Sequence, residues 1–340
     1  MNMKTITLDS PGQFSTSETE RPSSIGPGEA LVRVARIGIC GTDLHAYRGR
    51  QPFFTYPRIL GHELGVEVLD VGANGEGISV GDHCAVEPYL NCGECIACRN
   101  GKPNCCADLK VLGVHVDGGM RETIVVPIVN LHKSESLALD QLALVETLGI
   151  GAHAVSRAKP QAGENVLVIG AGPIGLSVVQ FATVEQVNVA VLDMNAARLE
   201  FCSQQFGIER TIVLGDDAAS QVAEVFEGEM PTLVFDATGN RQSMEAAFGL
   251  VANGGRLTLV GLVQDDISFH DPEFHRKELT VLSSRNSTPD DFRRIIRLME
   301  AGTIDTTPWI THRASLDEMI GQFEGWLSPE AGVIKAMIEV

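Results

Sequence analysis

The sequence predicts a two-domain α/β protein, a mainly β part joined to a doubly wound parallel sheet. Three observations predict it. The chain has 340 residues, 44% of them hydrophobic, and that length suits two cores better than one. Up to about residue 150 it is rich in glycine and in short alternating runs, with little helical periodicity. Beyond that point apolar runs alternate regularly with helix-length segments, the succession that builds a parallel sheet.

In the first part, Ala30–Ile37 and Gly65–Gly72 alternate in the strand manner. A helix is expected from Asp140 through Leu144, Leu148 and Ala152. Asn165–Ile169 then reads as a buried strand, followed by a helix, the strand Val187–Asp193, a helix from Ala196, and strands near Thr232–Asp236 and Arg256–Gly261. Helices are expected over Asp290–Met299 and Leu316–Leu327. A last strand, Val333–Glu339, can pair back onto the first domain. The expected division is 1–152 with 288–340 as one domain and 153–287 as the other.

The net charge of -18 argues against nucleic acid and anionic membrane, whose phosphates would meet a repulsive field. The longest apolar run, Val166 to Val184, is broken by Gly170, Gly172, Pro173 and Gly175, so it reads as a strand entering a helix rather than a membrane span. No secretory apolar stretch opens the chain, which points to the cytoplasm, where disulfides are rare.

Five of the eight cysteines fall between Cys92 and Cys106. Cys92, Cys95 and Cys98 are spaced so that their thiolates can converge on one tetrahedral zinc, with Cys106 swinging back as the fourth ligand. That site would be closed and structural. The alternative is a cluster of buried thiols or a disulfide knot. Cys105 has no assigned role.

Gly170-Ala-Gly172-Pro173-Ile174-Gly175 follows one expected strand and opens a helix, the context that a dinucleotide turn requires. Gly170 permits the tight turn, Gly172 lets backbone approach a pyrophosphate, and Gly175 lets helix and strand pack closely. The helix N-terminus supplies N–H groups and a positive dipole end for that anion. Asp193, about 20 residues beyond the turn, is placed to accept the ribose hydroxyls, which favours NAD over NADP. Arg198 can reach a phosphate, lie along the adenine or remain a solvated helix residue. Thr238, Val260 and Gly261 close two further strands on the side where a nicotinamide would lie.

Gly38-Ile-Cys40-Gly-Thr42-Asp43-Leu-His45, Gly61-His62-Glu63 and Glu146 form a second set. A thiolate, an imidazole and carboxylates are the ligand types of a catalytic zinc with an open position. Singly, each has a blander reading: a core histidine for His62, an ion-pair partner for Glu63, an exposed helix residue for Glu146.

Taken together, these motifs resemble the zinc-dependent medium-chain dehydrogenase/reductase family over essentially the whole chain. Glu63 and Glu146-Thr147-Leu-Gly resemble its polyol and threonine dehydrogenase branch, although that pattern usually has proline where this chain has Thr147. The resemblance implies a GroES-like catalytic domain, a Rossmann domain, two zinc ions per chain, NAD, and homodimers or homotetramers. It implies that Cys40, His62 and Glu63 hold the catalytic zinc, with Glu146 a direct or water-linked ligand. Thr42 then accepts the alcohol proton, His45 carries it to solvent, Asp43 orients an imidazole, and Arg285 reaches substrate or cofactor hydroxyls.

The expected reaction is oxidation of a secondary alcohol, a polyol or a sugar acid, with hydride passing to NAD. Arg48, Arg50 and Arg58, lying with several aromatics between the two halves of the zinc site, hint at a substrate carboxylate. A solvated loop is the plainer reading of that segment. L-Threonine 3-dehydrogenase is the nearest alternative. A zinc-free quinone or enoyl reductase would have no use for Cys40, His62 and Glu63. A zinc-stabilised binding protein would hold one zinc and reduce no NAD.

Overall fold

Alternating apolar residues become strands wherever one face can be buried. The computed structural model describes residues 2–73 and 77–340. It divides into two compact units, one running to Glu146 and resuming at Thr288, the other Thr147–Ser287. The first cut lies a few residues before the position read from the sequence.

The first unit opens with the hairpin β1 (Asn2–Ser10) and β2 (Gln13–Glu20), then β3 (Glu29–Gly38), α1 (Gly41–Tyr47), β4 (Glu63–Val71), β5 (His83–Val86) and β6 (Tyr89–Leu90). There follow α2 (Ile96–Arg99), β7 (Lys110–Val111), β8 (Thr123–Pro127), β9 (Leu131–Ser134), α3 (Leu139–Ala143) and α4 (Val145–Ala158). The single helix expected from Asp140 is thus two. Leu144 caps α3 with φ −88° and ψ −1°, and α4 restarts at Val145. This break sets Glu146 in the first turn of a new helix.

The second unit holds β10 (Asn165–Ile169), α5 (Pro173–Val184), β11 (Asn188–Asp193), α6 (Ala196–Phe206), β12 (Arg210–Val213), α7 (Ala218–Val225) and β13 (Leu233–Asp236). It continues with α8 (Arg241–Ala247), β14 (Arg256–Leu259), α9 (Asp271–Lys277) and β15 (Thr280–Ser283). Its six strands are parallel, in the order β12-β11-β10-β13-β14-β15. The order reverses between β10 and β13, and in such sheets ligands bind beyond the carboxyl ends of the strands at that point. Leu167, Val234 and Leu257 fill the sheet's core.

The chain returns to the first unit through α10 (Pro289–Glu300), β16 (Ile310–Ser315), α11 (Met319–Phe323) and β17 (Lys335–Glu339). The helix expected over Leu316–Leu327 shrinks to α11, because Ser315 and Glu318 close a turn ahead of it. The seven-stranded sheet runs β16-β17-β3-β4-β5-β9, with β8 also on β3. β17 lies antiparallel to β3, pairing Met337 with Gly38. The last residues of the chain are therefore sheet neighbours of the segment that leads into Cys40.

Candidate metal and dinucleotide sites

Sheet register builds the first metal site. Gly38 ends β3 opposite Glu63, which starts β4. A Cβ at Gly38 would lie 2.1 Å from Glu63 Oε2, so glycine there makes room for the carboxylate. Cys40 is the N-cap of α1, and its N–H donates to Asp43 Oδ2 at 2.9 Å. Gly61, with φ +96°, turns the chain so that His62 and Glu63 point inward. Ligand atoms of Cys40, His62 and Glu63 all lie within 4.8 Å of one another.

Asp43 is fully buried, and its Oδ1 lies 3.6 Å from His62 Nδ1. That is ion-pair range but longer than a hydrogen bond. Burial raises the Asp43 carboxyl above the usual carboxylate range, with His62 pulling the other way. Burial works against a charged His62, yet Asp43, Cys40 and Glu146 outweigh it and hold the ring's proton affinity well above 6.5. Anions that hold a proton this firmly form a field suited to a cation, and the donors are the soft-and-borderline set that zinc prefers.

Glu146 is buried, and Tyr89 donates its hydroxyl to Glu146 Oε1. Burial raises its proton affinity, while His62 opposes that. It stands beside the three-ligand cluster without joining it. Thr42 is half-buried in the first turn of α1, and His45 is exposed near its end. His45's proton affinity is lowered by desolvation and by Arg48 and Arg50.

Two residues of this site were not singled out in the sequence. Tyr89 is one. Lys335 is the other, 2% exposed, with Nζ donating to both oxygens of Glu63 and to Ile39 O. Burial opposes its charge, but Glu63, Cys40 and Glu146 raise its proton affinity above the ordinary value. Its signal was a lysine opening a strand whose next three residues are all apolar. Two of the arginines that hinted at a substrate carboxylate are engaged within the chain: Arg48 donates to Leu327 O, and Arg58 donates to Asp117 and Thr55.

The second cluster is local. Cys92, Cys95, Cys98 and Cys106 bring their sulfurs within 4.8 Å of one another, and none is in a disulfide. The N–H of Cys92 donates to Cys106 Sγ at 3.3 Å, and that of Cys95 to Cys92 Sγ at 3.4 Å. N–H donors from Ala107 and Cys98 bring the Cys95 thiol down to about 6, whereas burial and its neighbours push Cys98 up to about 12. Four thiols this close cannot all ionise without a cation among them, so the loop fits zinc. Cys105 is exposed and outside the group.

The second unit carries the dinucleotide turn. Gly170 has φ +95°, and a Cβ on Gly175 would lie 1.7 Å from Gly170 O, so both positions require glycine. Gly172 is the N-cap of α5 and Pro173 its first residue, with Ile174 half-buried behind. A Cβ on Gly172 would meet only the Arg198 guanidinium, at 3.7 Å, which leaves an open cradle with a cation at its rim. Asp193 ends β11, with its Oδ2 accepting from Ala171 N at 2.6 Å and its Oδ1 from Asn195 N at 2.7 Å. It therefore ties the turn to the sheet and keeps further lone pairs for a ribose. Thr238 bonds Asp236 after β13. Val260 and Gly261 follow β14, and Arg285 is exposed beyond β15. All five segments follow carboxyl ends of parallel strands, where a dinucleotide fits.

Residues 26–136 match the family model described as alcohol dehydrogenase GroES-like domain, and residues 173–301 match the zinc-binding dehydrogenase model. The chain is 38% identical over 336 residues to L-galactonate-5-dehydrogenase of Escherichia coli (strain K12), covering 99% of this chain and 98% of that protein. It is 31% identical to L-threonine 3-dehydrogenase of Pyrococcus abyssi, with 92% of each chain covered. A solved short chain alcohol dehydrogenase (RspB) from E. coli CFT073, complexed with cofactor NADH, superposes with a TM-score of 0.90 at 34% identity, over 100% of this chain and 99% of that one.

Proposed function

This chain belongs to the zinc-dependent medium-chain alcohol dehydrogenases, and on that premise we propose that it oxidises a secondary hydroxyl of a sugar acid, with polyols as the wider class. It is an oxidoreductase that works with zinc and NAD. The observation that carries the reading is the convergence of half-buried Cys40 with buried His62 and Glu63, with Glu146 alongside. The 38% likeness to an L-galactonate-5-dehydrogenase directs it to sugar acids.

Zinc, when bound by Cys40, His62 and Glu63 with Glu146 in support, supplies Lewis-acid polarisation of the substrate hydroxyl. The chain's own residues handle the proton. Thr42 accepts it from the hydroxyl, and His45 passes it to solvent. Because His45's proton affinity is lowered, it is neutral near pH 7 and ready to accept. NAD, when held by the second unit, would supply the acceptor for the hydride and its electron pair, leaving a carbonyl on the substrate. Asp43 steadies both metal-binding segments, through the Cys40 N–H and the His62 ring. A second zinc in the cysteine loop is structural. Asp193 favours NAD by holding the ribose, Arg198 stands at the rim of the turn within reach of a phosphate, and Arg285 supplies a hydrogen bond to substrate or cofactor hydroxyls.

A second copy of the chain is the proposed partner. β15 is an outer strand with Val281 exposed. In the same unit a concavity of about 740 Å³ is lined by Phe248, Phe269, Phe274 and Leu279, and Phe269 is 48% exposed. An apolar, open strand edge of this kind suits pairing with its own copy. Among the described residues no helix is long and apolar enough to cross a membrane. The free cysteines favour the cytoplasm as the place of work.

The test is zinc content per chain together with NAD reduction over L-galactonate, other hexonates, polyols and L-threonine. Two zincs and turnover of a hexonate are expected. Strong threonine turnover with none on hexonates or polyols would replace this reading with that of the threonine dehydrogenase relative. One zinc and no turnover would remove the catalytic assignment.

A further inference from the structure

Lys335 is among the largest fully buried side chains of the chain, and a lysine is almost never found there without a partner. All three of its ammonium hydrogens are spoken for. Two go to the oxygens of Glu63, Oε2 at 2.6 Å, and one to Ile39 O at 3.2 Å. Ile39 precedes ligand Cys40, and Glu63 follows ligand His62. One side chain from the far end of the sequence thus clasps both metal-binding segments.

With a divalent ion in place, the acids Cys40, Asp43, Glu63 and Glu146 together exceed its charge. Lys335 offsets part of that excess, and at 2% exposure it does so with little screening by solvent or salt. An ammonium bonded to both carboxylate oxygens also competes with a metal for their lone pairs.

We infer that Lys335 is a positioning residue of the metal site, holding Glu63 at the edge of the ligand set and cancelling its charge, so that the ion stays electron-poor and keeps a position for the substrate hydroxyl. This rests on the reading of Cys40, His62 and Glu63 as a zinc site. Without Lys335, Glu63 becomes a stronger ligand. The site then grips zinc more tightly and polarises the alcohol less.

The test follows zinc release from the full-length protein to a colorimetric chelator, taking the kinetic phase that Cys40→Ser abolishes. It is paired with the visible spectrum of protein loaded with Co²⁺ at that site. Lys335→Met is expected to slow this phase, because a competitor for the Glu63 lone pairs is gone. The expected size is about 10- to 100-fold, the scale on which groups behind a metal's ligands act, and the cobalt bands are expected to shift. Lys335→Arg is expected to restore both. In a Glu63→Gln background, Lys335→Met is expected to change release little. Should Lys335→Met not fold, Lys335→Gln, which keeps a donor for Ile39 and drops the charge, gives the same comparison. Wild-type release and an unmoved cobalt spectrum in a folded charge-free variant would overturn the inference, as would an equal effect in the Glu63→Gln background. Absence of any Cys40-dependent phase in the wild type would instead overturn the zinc reading, and the inference with it.

Discussion

Cys92, Cys95, Cys98 and Cys106 come from one loop, whereas Cys40, His62, Glu63 and Glu146 arrive from the ends of β3, β4 and α4. The loop site is shaped by its own backbone, whose N–H groups donate to its sulfurs. The other depends on sheet register, on the space left at Gly38 and on buried charges from Asp43 and Lys335. The first arrangement stabilises a fold. The second brings together three candidate ligands of mixed type, the number that would leave a zinc one position for substrate.

This contrast is sharpest if one ligand is removed from each site. Cys40→Ser is expected to lower kcat by about a thousandfold or more, since Lewis-acid help is worth several kcal/mol, while Tm moves by no more than about 3 °C. Cys95→Ser is expected to do the reverse. It should lose one zinc and lower Tm by more than about 5 °C, because a structural ion contributes to folding directly. If both variants lowered Tm equally, the division of labour would fail. Zinc analysis, calorimetry and initial rates on the same preparations decide it.

A third probe leaves every ligand in place. Gly38→Ala puts a methyl group against the Glu63 carboxylate and is expected to cost about 1–3 kcal/mol, as overpacking does, with activity falling alongside stability. Denaturant unfolding and initial rates measure both, and a variant as stable and active as the wild type would show that register does not confine Glu63.

The smallest effect belongs to the proton's exit. His45→Ala is expected to lower kcat/KM for oxidation about tenfold. Since His45 must be neutral to accept a proton and desolvation, with Arg48 and Arg50, lowers its pKa from 6.5, wild-type activity should fall only on the acid side of that ordinary value. The variant should lose this acidic limb. An unchanged pH profile would place the proton's route elsewhere.

Motifs read in the sequence differ in how much of their geometry is local. Gly170 and Gly175 were legible because a turn between a strand and a helix imposes them within six residues, and Gly172 between them leaves the cradle open. Glu146 was legible as a residue, but the break at Leu144 that places it in a first turn was not, since the apolar period continues through that point. Arg48 and Arg58 left two readings open, a substrate carboxylate or a solvated loop, because the sequence does not reveal that Leu327 and Asp117 come to meet them.

The sequence by itself determined the parallel α/β unit and the cysteine loop, and it named the candidate ligands that the fold brings together at the other site. In the first two, the information lies in short-range spacing, which a chain of fixed reach converts directly into proximity. Only the tertiary structure decided that β17 lies against β3 and delivers Lys335 to Glu63, more than two hundred residues away in the chain. No local pattern encodes that pairing. The physical reason is that a lysine can be buried at such a place only where the fold has already put a carboxylate, and the position of that carboxylate is a property of the sheet.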